Sequence, residues 1–535
     1  MKILAVIPAC EGSKVFPNKN IRVVNGKPLI YYVINNAKNS KFIDDVIVTT
    51  NSSEIIGIAK QMGVMTKLRD DKLCNPNTSL DMVVDDVFNS ISISEYDYIV
   101  TMQSIAPTLK TNTLDKAIEE CIINNYDTVI SVVSKQKFCW NVMNNNPLPL
   151  YQKRVNRSLL QPFYVETGGF LITKSCFVTN ESRLGKTIKL FELPESEAVD
   201  VYCFGDLKQV ENILSNKSVG IYVNGNNQLG LGHIYRVIQL ADELFVKPDI
   251  YFDYNQTDVA AFGKTTHNLI GVNGTSGLFE VLQGQDYGIF INDILSTDKA
   301  YMKKLKEVLP FAKIVNFEDE GSGAILADKV FNALYEEEYL PNVSAGEKYF
   351  IASKLFLLYE PIKIKDKVNT VLISFGGADP QNYTEKLLKL ITETKYKNIN
   401  FIVVAGKAKQ NVYELLNYNS FKNIQVLYNI DNMPEIMSKC DIAFTSRGRT
   451  GFELVFLGIP CVSMAQNARE ELHTFLSQKN GINYLGKNPS IDVIRKALDD
   501  YIFSTKDFRQ NLQNQMLSKD LKNGRKNVMN IILNL

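Results

Sequence analysis

The sequence predicts an α/β protein built from several doubly wound parallel sheets, on three observations. The chain has 535 residues, which is too long for one compact core and predicts two to four domains. Its composition, with 45% hydrophobic and 22% charged residues, is typical of a folded globular protein. Short β-branched runs alternate with helical segments along most of its length, which indicates mostly parallel sheets covered by helices on both faces.

The first alternating set of elements extends to about residue 215. Its predicted strands are residues 2–9, 44–50, 96–102 and 127–133. Its predicted helices are residues 28–39, 53–63 and 114–123. The polar segment 214–218 then leads into a new apolar run at 219–225, so we predict a domain boundary near residue 216.

A second and a third alternating set follow this boundary. The predicted strands are residues 249–254, 287–293, 312–317 and 328–335 in the second set, and residues 369–377, 399–406, 424–429, 440–446 and 460–465 in the third. The polar stretch 360–366 separates the two sets, and the segment from about residue 507 to the end is amphipathic and is expected to pack back onto a lobe. We therefore predict three domains, residues 1–215, 219–362 and 363–535, with ligands at the carboxyl ends of the strands or between the last two lobes.

Charge and cysteine content exclude several classes of function. Lys and Arg number 59 against 58 Asp and Glu, so no overall field favours nucleic acid or an anionic membrane. No apolar stretch approaches the roughly 20 residues that a membrane helix needs. The eight cysteines form no C-x-x-C pair, which favours reduced thiols in the cytoplasm over a zinc site or a disulfide framework. We expect a cytoplasmic protein with no nucleic-acid partner and no membrane insertion.

A basic, glycine-containing turn follows the first predicted strand. It contains Gly12, Ser13, Lys14, Lys19 and Asn20. At the carboxyl end of a strand, the backbone N–H groups and ammonium charges of such a turn can surround a phosphate chain. The spacing is not that of a Walker A loop. From the chemistry alone, a solvated basic loop is equally compatible with these residues.

The motif Ile7-Pro8-Ala9, followed by Gly12-Ser13-Lys14 and Lys19-Asn20, resembles the signature of the acylneuraminate cytidylyltransferases. That resemblance covers about residues 1–213 and implies a nucleotidyltransferase-type Rossmann-like fold, with CTP and a nine-carbon sugar acid as substrates and Mg²⁺ as cofactor. It also implies a possible homodimer. The implied site residues are Lys19 for catalysis, Gly12, Ser13, Lys14, Asn20, Gln103 and Ser104 for the nucleotide, Arg157, Gln161, Tyr164 and Glu166 for the sugar acid, and Asp200 for the metal.

Two positions depart from that family's pattern. Cys10 stands where the family has an arginine, and a neutral thiol cannot replace a guanidinium that binds phosphate oxygens. Asp200-Val201-Tyr202 stands where the family has a D-x-D metal motif, and a phenol with an ordinary pKa of about 10 is a weak ligand. We expect active transfer, and a degenerate domain that only binds its ligand remains the alternative.

A second glycine-rich turn follows the predicted strand at 219–225. It contains Gly230, Gly232, His233 and Arg236, and it opens a helix. The glycines permit close backbone approach to a ligand, while the histidine and the guanidinium add an ionisable group and a positive charge at the same strand-to-helix turn. A structural histidine at a helix start is the alternative for His233. No histidine precedes it, so the first domain must work without one.

Two further small-residue loops follow strands of the third set. One contains Gly376 and Gly377, and the other contains Arg447, Arg449 and Thr450. Each runs into a predicted helix and suits a diphosphate and a ribose. Two guanidinium groups that flank a glycine favour phosphate binding over a solvated loop.

The motifs G-x-G-H-x-x-R, S-F-G-G-x-D-P and E-L-x-x-L-G-I-P, the last at residues 453–460, resemble the UDP-sugar hydrolase of the pseudaminic acid pathway, with its two-lobed glycosyltransferase-B-like fold. The resemblance implies release of UDP from a UDP-sugar without a cofactor. It makes His233 the general base, Glu453 a ligand of the uridine ribose, and Asn467 and His473 contacts of the sugar or diphosphate. The implied nucleotide-binding set is Gly230, Gly232, Gly376, Gly377, Arg447, Arg449, Thr450 and Glu453.

The two resemblances together predict a bifunctional enzyme of nonulosonic acid biosynthesis, a CMP-sugar-acid synthetase fused to a UDP-sugar hydrolase. Tyr222 and Asn224 replace an arginine and an aspartate of the hydrolase family, so another sugar or another acceptor than water remains open. The alternative is a CMP-sugar-binding or degenerate cytidylyltransferase domain fused to a glycosyltransferase or a nucleotide-sugar epimerase.

Overall fold

The structure is a computed structural model that describes residues 1–10, 16–75, 77–90, 95–215, 217–225, 232–430 and 432–535. The chain separates into two compact units, Met1–Asn216 and Lys217–Leu535. Within the described part of the chain, every helix is too short or too polar to cross a bilayer.

The first unit is built on a seven-stranded mixed sheet. Its strands are β1 (Ile3–Pro8), β2 (Val23–Val24), β3 (Lys27–Pro28), β4 (Asp45–Thr50), β5 (Met65–Leu68), β6 (Tyr98–Thr101), β7 (Thr128–Lys135), β8 (Trp140–Met143), β9 (Asn146–Pro149), β10 (Phe163–Lys174) and β11 (Ile188–Glu192). Its helices are α1 (Leu29–Asn39), α2 (Ser53–Gln61), α3 (Leu80–Ser90), α4 (Thr111–Ile123) and α5 (Phe204–Ser215). The sheet order is β11-β7-β10-β6-β1-β4-β5, while β2 with β3 and β8 with β9 form two-stranded ribbons.

Strand β1 lies inside this sheet between β4 and β6, and all six of its residues are buried. A strand covered on both faces needs such a continuous apolar run. Strand β10 runs antiparallel to β6 and β7 and carries an irregularity between Glu166 and Leu171. The remaining pairs of the sheet are parallel.

The second unit contains two separate parallel sheets. Its strands are β12 (Val219–Val223), β13 (Asp249–Asp253), β14 (Asn268–Val272), β15 (Ile289–Asp293), β16 (Lys313–Phe317), β17 (Lys329–Asn332), β18 (Val343–Ala345), β19 (Thr370–Ser374), β20 (Asn400–Ala405), β21 (Ile424–Tyr428), β22 (Ile442–Ser446), β23 (Cys461–Ala465) and β24 (Asn483–Lys487). Its helices are α6 (Gly232–Ala241), α7 (Gly274–Leu282), α8 (Lys299–Val308), α9 (Tyr383–Ile391), α10 (Val412–Leu416), α11 (Met433–Met437), α12 (Arg449–Phe456), α13 (Ala468–Glu471), α14 (Ile491–Ile502), α15 (Lys506–Leu517) and α16 (Gly524–Leu533).

Both sheets of the second unit are doubly wound. The first has the order β14-β13-β12-β15-β16-β17-β18 and the second the order β21-β20-β19-β22-β23-β24. Winding reverses between β12 and β15 in the first sheet and between β19 and β22 in the second. Parallel sheets of this kind bind ligands at the carboxyl ends of the strands beside such a reversal. The predicted α/β class is confirmed, whereas the glycosyltransferase-B-like arrangement of the two lobes stays a prediction.

The last helix returns to the first lobe of this unit. Val528, Met529 and Ile532 of α16 are buried in the same hydrophobic cluster as Val219 and Ile221 of β12. The sequence assigns this segment to the domain at 363–535 with the expectation that it packs back onto a lobe. The apolar face of α16 is buried in the core of the preceding lobe, so the chain crosses between the lobes a second time before it ends.

Candidate functional sites

In the first unit, Asn20 links the end of β1 to the loop that follows β6. Its side-chain amide donates to the Cys10 carbonyl oxygen at 2.9 Å, and its oxygen accepts from the Ser104 hydroxyl at 2.8 Å. Asn20 and Ser104 are both buried. Three predicted nucleotide residues, Gly12, Ser13 and Lys14, lie outside the described residues. The described part of the turn is therefore held to the sheet through Asn20.

Lys19 lies beside Asp200, next to this link. Burial lowers the pKa of the Lys19 ammonium, while the nearby Cys10 thiol and Asp200 carboxylate act in the opposite direction. The Lys19 Nζ atom also lies 5.7 Å from the centre of the Tyr202 ring. The structure thus brings together a half-buried cation, a carboxylate and both of the positions that depart from the family's pattern.

Asp200 is held by the backbone of β10. Its two carboxylate oxygens accept from the Gly168 N–H at 3.0 and 2.8 Å, and burial raises the pKa of the carboxyl group. A Cβ atom at Gly168 would lie 3.0 Å from the Ile105 Cγ1 atom and 3.1 Å from the Asp200 Oδ1 atom, so a larger residue would push the carboxylate away. Gly168 also accepts the backbone N–H of Gln103 at 2.9 Å. One glycine therefore connects the predicted nucleotide loop to the predicted metal ligand.

Mg²⁺ is commonly held through one or two carboxylates together with substrate phosphates and water. Among the described residues, no group of three His, Cys, Asp or Glu side chains is placed to hold a metal ion. Asp206 is the next carboxylate along the chain, but its Oδ2 atom accepts the N–H groups of Tyr202 and Cys203 at 2.8 Å each. The side chains fit a cation that shares Asp200 with phosphate oxygens, and they do not form a closed protein cage.

The four predicted sugar-acid residues lie on β10 and the segment before it. Arg157, Gln161, Tyr164 and Glu166 are all exposed. The Arg157 Nε atom donates to the Gln136 carbonyl oxygen at 3.0 Å. Since Glu166 is two residues from Gly168 on one strand, β10 leads from these side chains towards Asp200.

In the second unit, His233 lies at the switch point of the first sheet. It follows β12 on the first turn of α6, and its Nδ1 atom is 2.5 Å from the Oδ1 atom of Asp293, the last residue of β15. Arg236, one turn further along α6, donates to both oxygens of Asp293 at 2.7 and 2.6 Å. Of the predicted glycines, Gly232 begins α6 and Gly230 lies outside the described residues.

The cluster around His233 is strongly charged and almost completely buried. Asp293, Arg236 and Glu318 are at most 3% exposed, and Arg236 also donates to a Glu318 oxygen at 3.0 Å. Burial by itself would raise the pKa of Asp293, but the charges of Arg236 and His233 hold it well below its usual range. Burial raises the pKa of Glu318, against the effect of Arg236. Asp293 is therefore a firmly ionised carboxylate in contact with the imidazole.

The two lobes of this unit meet beside this cluster. Arg469, which follows β23, donates to the Glu318 carbonyl oxygen at 2.7 Å, and Arg449, at the start of α12, donates to the Ile351 carbonyl oxygen at 2.7 Å. A Cβ atom on Gly232 would lie 2.8 Å from the Arg449 Cδ atom. Side chains that follow strands of the second sheet therefore contact the backbone of the first lobe beside His233.

The two predicted phosphate-binding arginines lie in different environments. Arg447 is buried, donates to the carbonyl oxygens of Glu471 and Leu476 at 2.8 and 3.2 Å, and lies 3.7 Å from the centre of the Tyr484 ring. Its guanidinium is thus satisfied within its own lobe. Burial lowers the pKa of Arg449 to about 10, with the charge of Arg236 acting in the same direction. Only Arg449 of this pair reaches the other lobe.

The predicted uridine residues surround the start of α12. Thr450 and Glu453 are partly buried, and burial raises the pKa of the Glu453 carboxyl to about 7, against the effect of Arg449. Gly376, with a φ of +76°, and Gly377 follow β19, the neighbour of β22. Loops at the ends of β19 and β22 therefore flank the switch point of the second sheet, where the backbone can approach a diphosphate.

Asn467 and His473 lie on either side of α13. Asn467 is exposed and caps this helix by accepting the Glu470 N–H at 3.0 Å. His473 is 5% exposed, and its Nδ1 atom donates to the Arg447 carbonyl oxygen at 2.7 Å. Burial lowers the pKa of its ring to about 4. Its Nε2 atom has no hydrogen-bond partner among the described residues, so His473 is a neutral ring with a free acceptor.

Sequence reasoning missed Asp293, Glu318 and the hydrogen bond from the Arg469 side chain to the Glu318 carbonyl oxygen. Asp293 ends a predicted strand and Glu318 directly follows another, so both lie at carboxyl ends, where parallel sheets bind ligands. Their position at the carboxyl ends of predicted strands could have marked both residues as candidates from the sequence. Pairing either residue with His233 required the sheet order, since β12 and β15 are neighbours in space only.

Comparison with known proteins bears on both units. Residues 4–161 match the family model described as cytidylyltransferase. The first unit contains a cytidylyltransferase domain. Over 218 residues the chain is 28% identical to a pseudaminic acid cytidylyltransferase of Campylobacter jejuni, covering 39% of this chain and 94% of that protein.

Two further relatives align over more residues than the cytidylyltransferase match. A Helicobacter pylori protein named pseudaminic acid cytidylyltransferase and UDP-2,4-diacetamido-2,4,6-trideoxy-beta-L-altropyranose hydrolase is 22% identical over an alignment of 482 residues, which covers 86% of this chain and 87% of that one. An uncharacterized Methanocaldococcus jannaschii protein is 30% identical over an alignment of 273 residues, which covers 46% of this chain. The alignment spans only 56% of that archaeal relative.

Proposed function

We propose that the cytidylyltransferase domain activates a nine-carbon sugar acid with CTP and that the second unit hydrolyses a UDP-sugar. The observation that carries this proposal is the alignment with the bifunctional H. pylori relative, which covers 86% of this chain. The two reactions belong to neighbouring steps of one kind of biosynthesis, which favours their fusion over two unrelated activities.

In the first reaction, a hydroxyl of the sugar acid attacks the α-phosphorus of CTP, and the bond to pyrophosphate breaks. Asn20 and Ser104 are proposed to hold the nucleotide loop, and the Lys19 ammonium is proposed to bind phosphate oxygens during transfer. Asp200 would hold Mg²⁺, which offsets phosphate charge when bound. Gln103 joins this set through Gly168, and Arg157, Gln161, Tyr164 and Glu166 are proposed to contact the sugar acid.

The synthetase activity is tested by pyrophosphate release from CTP, Mg²⁺ and a panel of nonulosonic acids. We expect release with at least one acid, and a loss of about 100-fold or more in Asp200→Asn. Asp206→Asn is the matched control, because an asparagine oxygen can still accept the N–H groups of Tyr202 and Cys203, so this variant should retain turnover. Tight CTP binding in calorimetry without turnover on any acid would instead favour the degenerate, ligand-binding domain.

In the second reaction, water gives a proton to the Nε2 atom of His233 while its oxygen bonds to the anomeric carbon. The bond between that carbon and the diphosphate oxygen breaks, and its electron pair leaves with UDP. The loop of Gly376 and Gly377, together with Arg449, Thr450 and Glu453, is proposed to hold the nucleotide. No cofactor is needed for this step.

The hydrolase activity is tested by UDP release from UDP-diacetamido sugars without an acceptor. We expect release by the wild type and a collapse of the rate in His233→Ala. His267→Ala is the matched control, since His267 is a peripheral residue whose ring bonds Asp242 at 2.9 Å. A rate that appears only with a sugar acceptor would favour a glycosyltransferase, and isomerised UDP-sugar would favour an epimerase.

Assembly and location complete the proposal. The ribbon of β8 and β9 carries exposed apolar side chains, with Trp140 at 50%, Val142 at 63% and Met143 at 59% exposure. This ribbon supports a homodimer, which sedimentation of the wild type against Val142→Lys would test. The cytoplasm is the proposed compartment, because both reactions use nucleotides and all eight cysteines are free thiols.

A further inference from the structure

The charged cluster beside His233 contains a carboxylate that neither resemblance assigned. Asp293 is 0% exposed and lies at the end of β15, 60 positions along the chain from His233. It receives three N–H groups, one from the His233 ring and two from the Arg236 guanidinium. The switch point between β12 and β15 brings these groups together.

We infer that Asp293 is a positioning residue, which holds the His233 ring with its proton on Nδ1 and so leaves Nε2 free to accept a proton from water. The predicted effect on the reaction rate rests on the proposed hydrolase activity, whereas the predicted tautomer of His233 does not. An ionised carboxylate can accept hydrogen bonds but cannot donate one, so a ring nitrogen 2.5 Å away must carry the hydrogen. The neutral imidazole then has its lone pair on Nε2, to which no described residue donates.

Arg236 helps to keep Asp293 ionised and in place beside the His233 ring. It donates to both oxygens of Asp293 and therefore favours the ionised carboxylate. The Arg236 Nη2 atom lies 3.3 Å from the His233 Nδ1 atom, but both nitrogens are donors, and both point to Asp293 Oδ1. Glu318 occupies the remaining end of the guanidinium at 3.0 Å, which fixes the orientation of Arg236. The imidazole plane is thereby set by a chain of buried charges.

The same carboxylate stabilises the protonated ring during the reaction. When water gives its proton to Nε2, the imidazolium faces an anion at Nδ1, and Asp293 takes up no proton itself. A carboxylate that orients and balances a catalytic imidazole in this way typically contributes about 10⁴-fold to kcat when its removal leaves the wrong tautomer. Asp293 is 0% exposed and is not expected to touch the UDP-sugar, so KM should change little.

Imidazole ¹⁵N NMR tests the tautomer directly, and the chain offers a simple spectrum because it has three histidines. In the wild type at neutral to alkaline pH, we expect His233 and His473 to carry hydrogen on Nδ1, as their bonds to Asp293 and the Arg447 carbonyl require. We expect His267 to carry it on Nε2, which faces Asp242. A wild-type His233 ring with hydrogen on Nε2 would overturn the inference without any variant.

Asp293→Asn is the decisive variant. Its amide N–H, when it takes the Oδ1 position, faces both the ring and the Arg236 Nη2 atom, so the ring loses its acceptor. His233 should then change at least in part to the Nε2–H tautomer, while His267 and His473 keep theirs. UDP release should fall by about 10³- to 10⁴-fold in kcat at nearly constant KM. An unchanged tautomer with kcat within about threefold of the wild type would refute the role of Asp293.

A matched control separates this effect from the loss of a buried charge. Asp441 is 2% exposed and accepts the N–H groups of Asn369 and Thr370 at 2.8 and 2.9 Å, at the opposite ends of the strands. Asp441→Asn should leave the His233 tautomer and kcat unchanged; if it lowers kcat as much as Asp293→Asn does, the effect is structural and the inference fails. If the wild type hydrolyses no UDP-sugar, the proposed function fails, while the tautomer of Asp293→Asn still decides whether Asp293 sets the ring.

Discussion

Replacement of Gly406 by alanine is expected to displace the proposed nucleotide loop of the second unit. Gly406 directly follows β20, and a Cβ atom there would lie 2.4 Å from the Gly376 carbonyl oxygen and 2.5 Å from the Gly377 Cα atom. Ordinary contacts begin at 3.4 Å, so the facing backbone must retreat by about 1 Å. The obstacle is main chain, which cannot rotate away as a flexible side chain does.

This displacement of the loop should lower the stability of the protein and should weaken UDP binding by more. Overpacking of this kind costs about 1–3 kcal/mol, and each kcal/mol lowers the melting temperature by about 2–4 °C in a domain of comparable size. A misplacement of about 1 Å in a loop that positions a ligand can cost about 100-fold. We therefore expect the Kd of Gly406→Ala for UDP to rise by about 10- to 100-fold in titration calorimetry.

Gly277→Ala is the control for this experiment. Gly277 lies within α7, and its Cβ atom would meet its nearest neighbour at 3.4 Å, an ordinary contact. Alanine inside a helix is worth about 0.5–1 kcal/mol over glycine, so this variant should melt no lower than the wild type and should bind UDP normally. UDP affinity of Gly406→Ala within about threefold of the wild type, at a lowered melting temperature, would refute the placement of the nucleotide at Gly376 and Gly377.

Three further predictions concern other sites. Burial lowers the pKa of His473 from 6.5 to about 4. As pH falls from 6.5 towards 4, the unfolded chain therefore takes up a proton at this residue before the folded protein does, and the free energy of unfolding should fall by about 3 kcal/mol. Denaturant titrations of His473→Asn should lack this pH-dependent loss of stability. Cys10→Arg should raise kcat/KM for CTP by about 10- to 100-fold through a charge-assisted bond to phosphate, whereas Cys176→Arg, at another exposed cysteine, should leave it unchanged. Tyr202→Asp should lower the Mg²⁺ concentration for half-maximal pyrophosphate release by supplying a second carboxylate, and an equal effect in Tyr202→Phe would contradict that explanation.

Sequence patterns predicted the buried strands well and the marginal ones poorly. Strands such as β1 and β12 are apolar throughout and buried on both faces, so their composition alone distinguishes them. Strands β14 and β24 were missed, because both lie at the edges of their sheets and alternate little between buried and exposed residues. The antiparallel direction of β10 was also not predicted, since strand direction depends on the partner chosen in the folded sheet.

For the candidate site residues, the sequence predicted the positions of the motifs but not the orientations of their side chains. Motifs next to single strands, such as Gly232 with His233 or Gly376 with Gly377, are local in sequence, and each does lie at the carboxyl end of a strand. The orientation of side chains within those motifs was not predictable. Arg447 and Arg449 are two residues apart on one loop, yet one bonds carbonyl groups inside its own lobe and the other reaches the facing lobe.

The sequence by itself determined the α/β class and the positions of the glycine-containing turns, because both depend on short-range patterns of apolar, glycine and charged residues. Only the tertiary structure decided which distant groups meet. Asp293 and His233 pair because winding reverses between β12 and β15, which places the ends of two strands side by side. The last helix likewise packs into the preceding lobe because that lobe presents an apolar surface to it. Contacts between distant segments follow from sheet order and packing, which a linear pattern does not specify.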